Sequence, residues 1–132
     1  MELKNFYNKI GENYDLLLSR LLSSERIEKY LTIFFDDNNI CDLKMQILSN
    51  DIQSAINTAH TLKGVTATLG FDNLAAEICE LHEALKNNEN EQADELCRQV
   101  VKEYEIIYNE WCNIKNTLTE NDIGSGKTGE LI

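Results

Sequence analysis

No proline occurs anywhere in the 132 residues, and between Glu12 and Ile123 glycine stands at just two positions, 64 and 70. Proline lacks an amide donor and clashes with the preceding helical turn; glycine loses the most backbone freedom on folding. A chain body almost free of both has few places where a helix must stop, which predicts an all-α protein. At 132 residues and 42% hydrophobic composition, the chain can bury one core and not two.

Apolar periodicity locates the helices. Residues 2–22 hold one or two short ones, interrupted near Gly11. Ser23 or Ser24 can cap the next, in which Ile27, Tyr30, Leu31, Phe34 and Phe35 recur at helical spacing until Asn38 and Asn39 break it. A shorter helix follows over CDLKMQILS. Asn50 then opens N-D-I-Q, a capping-box pattern with Gln53 three residues on. Beyond it Ile52, Ala55, Ala59, Leu62, Thr66 and Leu69 form one inward stripe, which Gly70 ends where a left-handed residue is wanted. Leu74, Ile78, Leu81 and Leu85 line the next helix, and Leu96, Val100, Tyr104, Ile107, Trp111, Ile114 and Leu118 the last. Long amphipathic helices joined by short polar turns predict an antiparallel four-helix bundle, with an additional short N-terminal helix or helices. The domain is expected over residues 1–120, with a flexible C-terminal tail over 121–132.

Twelve basic residues against 23 acidic ones leave a net charge of −11. Such a surface repels nucleic acid and anionic membranes, so neither is expected as a partner. No apolar run approaches the ~20 residues that span a bilayer, and the N-terminus lacks the apolar core of a signal peptide. Cys41, Cys79, Cys97 and Cys112 are too far apart for a zinc site of ordinary spacing. They are expected as reduced, half-buried core residues of a cytoplasmic protein. The tail contains GSGKT, but a phosphate-binding loop needs glycine where Asn121 stands, and a helix after it.

One stretch resists a purely structural explanation. In AHTLKGVTATLG, residues 59–70, Gly64 sits inside a helix at a cost of about 1 kcal/mol relative to alanine. At ~100° per residue, His60, Gly64 and Ala67 lie about a third of a turn from the core stripe, and Gln53 and Asn57 extend the same strip. Lys63 lies between that strip and the core edge, within reach of His60 at i+3. Taken singly, a surface histidine, a solvated lysine and a packing glycine are ordinary. Together they differ, because Gly64 is off the stripe that packing would use. A missing side chain beside an exposed imidazole lets a partner's surface approach the ring. Imidazole is a competent nucleophile at neutral pH, and a lysine can offset the charge of a phosphoryl group placed on it.

The segment AHTLKGVTATLGFDNLAAEICELHEAL closely resembles the signature of histidine-containing phosphotransfer (HPt) domains, roughly A-H-x-L-K-G followed by small residues and a glycine. The resemblance spans Arg26 to Leu85 and implies a four-helix bundle that relays a phosphoryl group between aspartates of receiver domains, in response regulators or hybrid histidine kinases. It implies His60 as phosphoacceptor, Lys63 as a phosphoryl contact and Gly64 as clearance for docking. Many such domains carry glutamine 22 residues after the histidine; here that residue is His82. Geometry alone brings His82 into view: His60 lies eleven residues before Phe71 and His82 eleven after it, so a tight turn there sets both at one height. His82 is therefore expected to hydrogen-bond one nitrogen of His60.

The expected function is a phosphoryl carrier, monomeric, without cofactor or metal, and not a catalyst in its own right. Rival readings are the phosphoacceptor domain of a chemotaxis-type kinase and a helical adaptor without phosphate chemistry. An enzyme with a metal in the bundle has too few ligands, with two histidines and no Glu-x-x-His.

Overall fold

A computed structural model describes the backbone of residues 3–123 and the side chains of residues 3–115. Seven helices occupy the described residues: α1 (Leu3–Lys9), α2 (Tyr14–Leu21), α3 (Ser24–Asp36), α4 (Asn39–Leu48), α5 (Ile52–Thr68), α6 (Asp72–Lys86) and α7 (Asn90–Ile123). Helix α5 packs on α6 and α6 on α7, while α4 packs on both α5 and α7 and closes a four-helix ring. The closing helix is thus the ten-residue α4, although α3 is longer.

The length of α7 explains that choice. Its 34 residues rise roughly 50 Å, more than twice the span of α6, so its second half runs past the α5–α6 turn. The apolar residues there need cover, and helices α1 and α3 supply it. Phe6 meets Trp111 edge-on at 6.0 Å, Phe35 stacks on Trp111 at 5.2 Å, and Phe34 meets Tyr104 at 5.9 Å. Phe71, fully buried at the α5–α6 turn, touches Tyr7 at 5.7 Å and Phe34 at 5.7 Å. This aromatic cluster continues the aliphatic core of the bundle.

Three successive bundle turns are built alike. After α4, α5 and α6 a left-handed residue follows the C-cap: Asn50 (φ 61°), Gly70 (φ 78°) and Asn88 (φ 60°). At each turn the next amide reaches back five residues: Asp51 to the Gln46 carbonyl (2.8 Å), Phe71 to Thr66 (2.9 Å) and Glu89 to Ala84 (2.9 Å). The Schellman closure satisfies helix-end carbonyls and leaves too little chain for the helices to diverge. At the second turn the buried Tyr7 hydroxyl donates to the Leu69 carbonyl at 2.7 Å, tying α1 to the end of α5. The N-terminus of α6 has no side-chain cap of its own, and Glu12 accepts the Asn73 amide there at 2.9 Å.

The expected stripes are buried at Ala55, Ala59, Leu62, Thr66 and Leu69 on α5, and at Leu74, Ile78, Leu81 and Leu85 on α6. Ser23 caps α3 by accepting the Arg26 amide at 3.1 Å. Three expectations need correction. Asn50 is not a helix cap; it takes the left-handed place after α4, Asp51 is the N-cap, and the Gln53 amide donates to Asn57 instead. Tyr30 is 39% exposed, because the buried face of α3 is filled by Ile27, Leu31 and Phe34. Cys41 and Cys79 are exposed, not half-buried; Cys97 is buried and Cys112 intermediate, and all four are free thiols. The backbone of α7 is described to Ile123; the Leu118 side chain expected in the core and residues 124–132 of the expected tail lie outside the described residues.

Tyr7→Phe keeps the ring packing and removes the hydroxyl that pairs with Leu69. Loss of one buried hydrogen bond costs about 1–2 kcal/mol. Urea denaturation should show a lower midpoint with an unchanged slope.

Candidate functional site

Helix α5 presents two faces. Ala55, Ala59 and Leu62 point to the core, while Gln53, Asn57, His60, Gly64 and Ala67 are exposed along the other side. Lys63 is half-buried at the border between them. The structure therefore brings together each exposed residue expected on this strip, with the Gln53 and Asn57 side chains joined at 3.4 Å. A Cβ built on Gly64 meets nothing within 4 Å. Nothing in the bundle demands glycine there, since space is open and φ is not positive.

Across the α5–α6 seam stands His82. The two rings stand at one height: the His60 and His82 ring centroids are 5.8 Å apart and the planes are tilted by 40°. The two rings differ sharply in setting. His60 is exposed; His82 is 7% exposed, and its Nδ1 is buried without a hydrogen-bond partner. That nitrogen therefore makes no hydrogen bond to His60. Each ring hangs from its own helix wall beside a buried residue, Ala59 or Leu81, and this spacing sets the rings side by side. Burial holds the His82 ring below the usual imidazole range, and the nearby Lys63 and Lys86 ammonium groups and His60 reinforce that, while Glu83 opposes it. His82 is thus neutral at pH 7, with a donor and an acceptor nitrogen to offer.

An open groove of about 720 Å³ adjoins His60 on the opposite flank of α5. Its walls include His60, Gly64 and Val65 from α5 and Tyr30, Ile33 and Phe34 from α3. Ile33 is 56% exposed, so the groove offers apolar surface beside the imidazole. Sequence periodicity missed this wall by assigning Tyr30 to the core. The signal was available, since Tyr30, Ile33 and Asp37 recur at i, i+3 and i+7 as a second stripe on α3.

Among the described residues no group of three or more His, Cys, Asp or Glu side chains is placed to hold a metal ion, and no helix is long and apolar enough to cross a membrane. What the site can do chemically rests on a nucleophilic imidazole, an ammonium group beside it, and room for a macromolecule to approach.

Two measurements check this geometry. Gly64→Ala should stabilise the protein by up to about 1 kcal/mol, because alanine removes the helix penalty and its methyl enters open space. For His82, the unfolded chain binds a proton near the ordinary value of 6.5 and the folded chain resists it. Stability from this group is therefore intact above about pH 6.5 and is lost as pH falls below it. Thermal melts from pH 7.5 to 5.5 should show wild type losing more than His82→Gln.

A family model described as the Hpt domain matches residues 29–110, well over half of the chain. The match runs from within α3 into the second half of α7 and takes in His60, Lys63, Gly64 and His82. No curated protein and no solved structure shows significant similarity to the chain.

Proposed function

The chain belongs to the Hpt domain family, and from that premise we propose that it is an intermediate carrier in a phosphorelay, receiving and passing on a phosphoryl group at His60. The observation that carries this reading is the bare, exposed strip around His60, where the open space at Gly64 has no use inside the bundle. In the transfer, the lone pair of an imidazole nitrogen attacks phosphorus of an aspartyl phosphate on a receiver domain. The new P–N bond forms as the P–O bond to the aspartate breaks, and the carboxylate leaves. Reversal onto a second receiver completes the relay.

This chain's own residues position and stabilise. Lys63, half-buried beside the ring, offsets the charge of the phosphoryl group. His60 sits in the middle of α5, far from the dipole at either helix end, so a side-chain cation must supply that charge. Gln53, Asn57, Gly64 and Ala67 form the docking surface for the receiver, and the groove walled by Tyr30 and Ile33 extends it with apolar contacts. The acidic site and Mg²⁺ that drive aspartyl phosphate chemistry belong to the receiver, so the protein acts as a carrier and not as an enzyme. A monomer in the cytoplasm suits that role.

Incubation with a phosphorylated receiver tests the reading. Wild type should acquire acid-labile, alkali-stable label, His60→Gln should acquire none while folding normally, and Gly64→Leu should label more slowly with an unchanged circular dichroism spectrum. Label that persists in His60→Gln, for instance on His82, would overturn the assignment.

A further inference from the structure

Resting on that carrier reading, we propose that His82 is the proton-linked partner of His60: neutral beside the free ring, it takes up one proton from solvent once His60 is phosphorylated and donates hydrogen bonds to the phosphoryl oxygens. A buried polar atom is ordinarily paired, yet Nδ1 of His82 is buried in a ring only 7% exposed and has no partner. The neighbouring ring at 5.8 Å is the one expected to receive a phosphoryl group. Such a group brings up to two negative charges and three acceptor oxygens to the seam.

Before transfer, the groups acting on His82 are Lys63 and His60 from α5 and Lys86 and Glu83 from its own helix. Burial and the two lysines together hold the ring neutral. A phosphoryl dianion a few ångströms away reverses that balance, since an opposite charge at about 4–6 Å favours the protonated imidazole by roughly 1–3 pKa units. The covalent step is unchanged: the P–N bond forms at His60, the donor P–O bond breaks and the aspartate leaves as carboxylate. The proton that reaches His82 comes from water. A glutamine at position 82 could hydrogen-bond to either state but could not carry this proton, so the histidine makes loading of His60 respond to pH.

The His82 imidazole titration, followed by NMR in the free protein and in protein phosphorylated with phosphoramidate, tests the proposal. An upward shift of at least about one pKa unit on phosphorylation is expected. In the window between the two values, the equilibrium for loading from a receiver should become more favourable by up to about tenfold for each pH unit lowered. His82→Gln should flatten that slope. An unmoved His82 titration in labelled protein, or identical pH profiles for wild type and His82→Gln, would overturn this proposal while leaving the carrier reading intact. Absence of label on His60 would overturn both.

Discussion

The left-handed turn at Gly70 is the constraint on which both the core and the site depend. Its φ of 78° lets the Phe71 amide reach the Thr66 carbonyl, so α5 ends and α6 starts within three residues. The turn leaves the two helices little freedom to slide, and this sets His60 and His82 at one height. It also delivers Phe71 into the aromatic cluster, and Tyr7 fastens the adjoining Leu69 carbonyl from α1. One backbone conformation thus links the register of the seam to the packing of the N-terminal helices.

The two histidines show how burial divides labour between identical side chains. His60 has solvent on one side and the open space at Gly64 next to it, as the proposed carrier role requires. His82 is packed into the seam and keeps a neutral ring because burial and two lysines oppose its charge. A cation beside His60 also stands out on a chain of net charge −11, where most of the surface repels a phosphoryl group. The site is a local exception to the field of the whole protein.

Much of this was legible in the residues because a helical stripe is a property of one helix. Ala55, Ala59, Leu62 and Thr66 identify the buried side of α5, and the same angles place His60, Gly64 and Ala67 outside it. Local rules compete at other positions. Asn50 fits a cap and a left-handed turn equally well by composition, and the closure of α4 onto Asp51 decided for the turn. Tyr30 is apolar enough for the core, but Ile27, Leu31 and Phe34 already fill the inward face of α3. Cys41 and Cys79 carry no periodic signal strong enough to tell an exposed thiol from a buried one.

The helical class follows from composition, since the chain body has no proline and so little glycine, and the outward strip carrying His60 follows from 3.6-residue periodicity, which acts within one segment. Packing between helices settles that α4 and not α3 closes the bundle, that an apolar groove opens between α3 and α5, and that Nδ1 of His82 is buried without a partner. Each of those outcomes depends on surfaces brought together from distant parts of the chain. Their energy comes from shared burial and is not encoded in the period of any single helix.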